Sequence, residues 1–364
     1  MLASLKKWLE VRIGLNELVR SQLTEYRVPR NINLFYTLGF VALTLFLLQV
    51  VTGFLLLIFY VPDAAHAFKS VQRIMTTIPY GWLFRLMHVV GSNLLLAVVM
   101  VHMASVLFMN SYKKPRELTW ITGALLLLIT MTFCLSGYLL PWSQLSYWAT
   151  TIATTIPTAF PYVGGFVTDL LRGGPIVSGA TLGRFFALHV GILPAALLVV
   201  LSLHLFLIRR IGVSAPPFGA APEEKKELTE FQHDSHAGGV PFFPHYVLKE
   251  TVMVMVFLAV MFYIIAFTPT LFLPEDTNLP ANPYRTPEHI KPEWYFLAPY
   301  QMLKLIPNKF VGISLQLIIV GLFLVWPLLD TTRQENILKR PALLTVLGIA
   351  LSLWIVLTVW GKYS

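Results

Sequence analysis

This sequence predicts an all-α polytopic membrane protein. It reads as a four-helix bundle followed by three further transmembrane helices, seven spans in all, preceded by an amphipathic N-terminal interfacial helix. Three observations predict it. Of 364 residues, 56% are hydrophobic and only 12% are charged, about half the charge of a water-soluble domain. Seven apolar runs are long enough to cross a bilayer. Four histidines lie inside two of those runs in matched registers.

Residues 2–19 form the amphipathic segment, with Leu5, Trp8, Leu9 and Ile13 alternating with Lys6, Lys7, Glu10 and Arg12. It lacks the uninterrupted apolar core of a signal peptide. It is expected to lie on the cytoplasmic interface, a soluble docking helix being the alternative. The spans follow near 33–60, 82–109, 119–141, 181–208, 248–271, 312–329 and 341–360. Connections on the N-terminal side carry 16 Lys and Arg residues and those on the opposite side carry 8. The positive-inside rule then puts the N-terminus in the cytoplasm and the C-terminus outside.

The formal net charge of +9 is also what a nucleic-acid binder shows. Here basic loops facing a cytoplasm and anionic lipid account for it, so the expected partner is the lipid bilayer and not nucleic acid. The long polar break is 211–246, with prolines, a Glu-Glu-Lys-Lys run and the pair His233 and His236. It reads as a solvated linker, since no cysteine or third metal ligand is nearby. It divides a four-helix unit (1–210) from a three-helix unit (247–364).

His88 and His102 are 14 residues apart on the second span; His189 and His204 are 15 apart on the fourth. At about 100° and 1.5 Å per residue, either spacing returns to nearly the same face about 20 Å further along. If the two helices are neighbours, the histidines meet as two pairs, one near each membrane surface. Each pair can clamp a metal from both sides, as a bis-histidine haem requires. Intramembrane histidines also serve as hydrogen-bonding residues, but four in register point to ligation. The lone cysteine, Cys134, lies inside an apolar run. It permits no Cys-x-x-Cys-His attachment, so any haem is b-type and non-covalent.

Gly39 and Gly53 on the first span, and Gly123 and Gly137 on the third, repeat the 14-residue interval. Glycine lets a flat macrocycle approach the backbone, and it also serves helix–helix packing. Arg85 and Arg184 stand near the outer histidines, and Arg116 and Arg209 near the cytoplasmic ones. Guanidinium groups suit the propionates of two haems, with interfacial snorkelling the alternative.

Two long outer-side connections, 142–180 and 272–311, are aromatic and proline-containing rather than polar. Loops of this length are usually functional. Glu293 sits among Pro292, Trp294, Tyr295 and Phe296. Burial there raises a carboxylate's pKa and suits it to accept a proton; a helix-capping glutamate is the other reading.

The histidine ladder, the glycine quartet, Pro141-Trp142 and Pro292-Glu293-Trp294-Tyr295 together resemble the cytochrome b family of quinol-oxidising bc-type complexes. The likeness covers nearly the whole chain from about Val28. Seven spans, the 15-residue spacing and the stretch Lys113–Trp120 resemble most a cytochrome b6 fused to subunit IV, with 211–246 as the junction. One departure stands out: where b6-type chains have a cysteine anchoring an extra haem, this chain has Thr37. No covalent haem is therefore expected.

The resemblance implies a quinol:cytochrome c oxidoreductase subunit of a respiratory chain in the bacterial cytoplasmic membrane. Quinol binds on the outer side between the 142–152 region and the Glu293 loop. One electron leaves to a Rieske iron–sulfur protein, the other crosses through haems at His88/His189 and His102/His204 to a cytoplasmic-side quinone. Glu293 takes a quinol proton, with Tyr147 and Tyr295 assisting. A c-type cytochrome and a homodimeric complex are the further partners implied. Two rival readings are a di-haem membrane anchor of another quinone-linked dehydrogenase, which has no need of Glu293, and a haem-free transporter with a histidine proton relay.

Overall fold

The computed structural model describes residues 2–217, 239–288, 290–334 and 336–364. His233, His236 and the run Glu223-Glu224-Lys225-Lys226 lie outside the described residues. The chain opens with α1 (Leu2–Ile13) and α2 (Leu15–Val19). They turn at Gly14, whose φ of 58° suits a residue without a Cβ. Strand β1 (Arg27–Val28) leads to a 3₁₀ turn at Leu34–Thr37, capped by the Asn33 side chain.

The first four spanning segments are α3 (Leu38–Leu57), α5 (Gly81–Phe108), α6 (Glu117–Leu139) and the pair α9 (Gly179–Ala187) and α10 (Leu193–Ile211), joined by a π turn at Leu188–Ile192. Between them lie α4 (Ala67–Thr76), α7 (Gln144–Thr155) and α8 (Gly164–Arg172). Serine caps open α7 and α9: Ser143 and Ser146 form one capping box, Ser178 and Thr181 another. Within the bundle α3 packs on α5 and α10 on α6, while α5 also touches α6. Strand β2 (Val240–Pro241) pairs antiparallel with β1, tying the N-terminal segment to the entry of the second half.

That half holds α11 (Val247–Phe267), α12 (Leu297–Leu305), α13 (Lys309–Leu324), α14 (Trp326–Leu329) and α15 (Pro341–Tyr363). Helix α11 packs on α5 and α3, α13 on α6, and α15 on α12. The second half therefore clasps the bundle rather than standing apart. Among the described residues, six helical segments are long and apolar enough to cross a membrane. The expected 312–329 span differs: α13 has 16 residues, about 24 Å at 1.5 Å each, short of a ~30 Å core. The helix breaks at Val325 and resumes as α14 with Pro327 in its first turn. Proline supplies no N–H to continue the ladder.

The connections after α6 and after α11 are built structure. Gln144 N–H donates to the Leu279 carbonyl at 2.8 Å and Ala281 N–H to the Trp142 carbonyl at 3.1 Å. The Gln144 side chain accepts from Asn282 N–H at 2.7 Å. The loop after α6 and the loop after α11 thus form one cover. On the opposite side Asp330 is held by Arg340 at 2.8 Å through both terminal nitrogens and by the Tyr112 hydroxyl at 2.5 Å, which joins the two halves again.

Candidate functional site

Helix α5 presents His88 and His102, and the π turn and α10 present His189 and His204. The π turn explains the unequal spacings. A regular helix would carry a residue 15 positions on about 60° past four full turns. The π turn absorbs one extra residue, so the second ladder has the register of the first. Pro194, which lacks an N–H, follows it at the start of α10. The His88 and His189 ring centres lie 6.4 Å apart, with planes 70° from parallel. That gap would admit a metal held by one nitrogen of each ring, at about 2 Å per bond. His102 and His204 face a shared cavity of about 550 Å³.

Each glycine of the quartet stands against one imidazole. A Cβ on Gly39 would lie 3.4 Å from Cε1 of His102, on Gly53 3.3 Å from Cε1 of His88, on Gly123 3.2 Å from Cε1 of His204, and on Gly137 2.6 Å from Cε1 of His189. The close contact of each glycine is with a histidine ring. Helix α3 seats the histidines of α5, and α6 those of α10.

The residues ahead of three glycines set the imidazole tautomers. Thr52 Oγ1 lies 2.9 Å from Nδ1 of His88, Thr122 Oγ1 2.8 Å from Nδ1 of His204, and Ser136 Oγ 3.1 Å from Nδ1 of His189. Each hydroxyl already donates its hydrogen to a carbonyl of its own helix. Nδ1 is therefore the donor, leaving the Nε2 lone pair free for a metal. Among the described residues no cluster of three or more His, Cys, Asp or Glu side chains is arranged for a metal ion. A metal held between these rings would take two nitrogens from the chain and its other ligands from a bound group, which fits haem.

The cavity at His102 and His204 is also lined by Arg116, Arg209, Tyr246 and Glu250. Arg116 Nε donates to the Gly212 carbonyl at 3.4 Å, and Arg209 lies over the Tyr26 and Phe242 rings at 4.5 and 4.8 Å. Glu250 is only 7% exposed, and the sequence reading missed it. Its signal was a carboxylate inside an apolar run. Thr37 is buried with its hydroxyl on the Leu34 carbonyl at 2.7 Å.

On the other side Glu293 occupies the N-cap position of the Trp294–Phe296 turn, yet its side chain makes no capping bond. Its carboxyl meets the Tyr138 hydroxyl instead. Burial pushes the Glu293 pKa up, while the Tyr138 hydroxyl and the Lys362 charge pull it down; the net direction is upward. Tyr295 is buried beside Cys134. Cys134 and Tyr138 are four residues apart on α6, so one helix face receives the loop. Trp294 Nε1 donates to Asn93 Oδ1 on α5 at 2.9 Å. The loop is thereby wedged near the level of His88 and His189.

Tyr147 lies apart from that cluster. Its hydroxyl donates to the Val177 carbonyl at 3.1 Å, between Trp142 and Trp148. Arg85 lines a cavity of about 380 Å³ with Gln72, Pro141 and Asn278. Arg184 is exposed, and its guanidinium donates to the Asp169 and Leu170 carbonyls at the end of α8, as basic side chains do at helix C-termini.

A family model described as cytochrome b/b6/petB matches residues 23–212, and one described as cytochrome b(C-terminal)/b6/petD matches residues 280–364. The chain belongs to the cytochrome b family. Cytochrome b of Allochromatium vinosum is 38% identical over 336 residues, which is 90% of this chain and 81% of that protein. Cytochrome b/c1 of Bradyrhizobium diazoefficiens is 37% identical over 337 residues, 92% of this chain and 47% of that longer protein. A solved chain of a hyperthermophilic respiratory Complex III superposes with a TM-score of 0.88 at 38% identity, covering 98% of this chain and 91% of that one. Haem b binding and membrane electron transport come with membership in this family.

Proposed function

We propose that the chain is the cytochrome b subunit of a quinol:cytochrome c oxidoreductase in a bacterial cytoplasmic membrane. The observation that carries this reading is the meeting of four half-buried histidines as two pairs, each ring seated on a glycine. His88 and His189 hold the outer haem, and His102 and His204 the cytoplasmic one. Two non-covalent b haems, when bound, supply one-electron carriage across the membrane.

The chain's own residues do the rest. Quinol oxidation releases two electrons and two protons. In this reading the reaction takes place beside Glu293, whose raised pKa suits it to take one proton and release it outside. Tyr138 orients that carboxyl, and Tyr295 packs below it; Tyr147 holds the cover in place. Arg85 is the outer propionate partner and Arg116 and Arg209 the cytoplasmic ones, with quinone reduction near Glu250. One electron leaves to a Rieske iron–sulfur protein and then a c-type cytochrome, in a homodimeric complex. The N-terminus faces the cytoplasm and the C-terminus the outside. Residues 211–246 join a b6-like unit (1–210) to a subunit IV-like one (247–364).

The test has two parts. A haemochrome assay should count two haems per chain, all extractable by acid–acetone. Quinol should reduce them rapidly only with the Rieske partner present. Two haems without Rieske-dependent oxidation would favour a membrane-anchor role, and no haem would defeat the reading.

A further inference from the structure

Three of the four imidazoles have a hydroxyl partner and the fourth does not. Thr52, Thr122 and Ser136 precede Gly53, Gly123 and Gly137, but Leu38 precedes Gly39. Nδ1 of His102 is buried without a hydrogen-bond partner. The cause is local. Leucine offers no oxygen, and the neighbouring Thr37 hydroxyl is turned to the Leu34 carbonyl at 2.7 Å. The main-chain carbonyls of Gln49, Phe133 and Thr119, each four residues before its glycine, also accept from His88, His189 and His204. The equivalent carbonyl for Gly39 belongs to Phe35, inside the 3₁₀ turn, where it accepts from Leu38 N–H.

We propose that the Leu38–His102 gap is a potential-setting device, resting on the haem-ligand assignment above. An Nδ1–H···O bond raises the basicity of the ligating nitrogen. A stronger donor favours the oxidised iron and lowers its reduction potential. The outer pair has two such bonds and the cytoplasmic pair has one. Leu38 therefore holds the cytoplasmic-side haem above the potential it would have with a hydroxyl at that position. Leu38 and Thr122 act through the ligands and are positioning residues.

The experiment is a redox titration of the b-type absorbance in membranes carrying the full complex. The cytoplasmic component is identified by its absence in His204→Leu. Leu38→Thr should lower that component about tenfold in reduction equilibrium, about 59 mV for one electron, and leave the outer one in place. Leu38→Val, which has the shape of threonine without the oxygen, should move neither. Thr122→Val should raise the same component, and it decides the matter if Leu38→Thr fails to retain haem. Two haems with unmoved midpoints in Leu38→Thr and Thr122→Val would overturn the proposal, as would an equal shift in Leu38→Val. Absence of two titrating components in the unaltered chain would instead overturn the ligand assignment.

Discussion

A β-carbon on Gly137 would stand 2.6 Å from Cε1 of His189, whereas one on Gly39 would stand 3.4 Å from Cε1 of His102. The first distance is below any tolerable carbon contact and the second is ordinary. The four glycines are therefore unequal, although their spacing in the sequence makes them look alike.

This inequality predicts a graded alanine series. Gly137→Ala must displace the His189 ring, with an overpacking cost of about 1–3 kcal/mol, and should deplete the outer haem. Gly39→Ala should keep both haems, with Gly53→Ala and Gly123→Ala between. Haem counts on purified variants check this; equal loss from all four would contradict a ring-seating role.

The pairing of histidines predicts selective loss. His88→Leu should remove the outer haem and His204→Leu the cytoplasmic one, since each loses an axial ligand. Each variant should titrate with one remaining b component, and the two remaining components should differ. The same surviving component in both would refute the assignment.

Glu293→Gln keeps size and hydrogen bonding but accepts no proton. Both haems should assemble, and quinol oxidation should fall on the order of 10²-fold or less. The sign of the pH effect follows from the raised pKa. The carboxyl works as a base only when ionised, so the native rate should drop as pH falls through that pKa. The glutamine variant should lack this limb. Pre-steady-state reduction of the b haems, with the cytoplasmic quinone site blocked, measures it; an unchanged rate and profile would remove the proton-acceptor role.

Asp330 predicts a stability effect away from the chemistry. Its side chain is 3% exposed and paired with Arg340. Arg340 and the Tyr112 hydroxyl hold its pKa below the usual carboxylate range, against its own burial. A depressed pKa contributes stability that is present above the unfolded value near 3.9 and lost as pH falls through the folded one. Tyr112, pushed up to about 12 by burial first and then by the carboxylate, remains a donor throughout. Asp330→Asn should cost about 3–5 kcal/mol at neutral pH, the usual loss for breaking a buried pair. Thermal melts in detergent should show the native advantage shrinking as pH falls below about 4; a pH-independent difference would mean that packing rather than charge holds the two halves.

Local pattern was enough for much of this molecule. The bounds of six spans, the registers of the four histidines and the interval of the glycines are properties of one helix at a time. Apolar run length and a period near 3.6 residues state them directly. The break at Val325 was less legible, because a proline after an apolar run does not say whether the helix bends or ends.

What lies across the chain had no such signal. The sequence shows the glycines at the histidine interval; only packing shows that each faces an imidazole ring, because that depends on which helix sits opposite. Arg184 stands five residues before His189 in the sequence, and its guanidinium reaches the carbonyl end of α8. Tyr138 and Glu293, 155 residues apart, meet because the loop before α12 folds back between α5 and α6. Asp330 and Tyr112 meet across 218 residues for the same kind of reason. Periodicity is carried by covalent neighbours and survives in the sequence. The partner of a hydroxyl, a carboxylate or an imidazole edge is chosen by the tertiary path, and hydrogen bonds formed over a few ångströms leave no mark at that range along the chain.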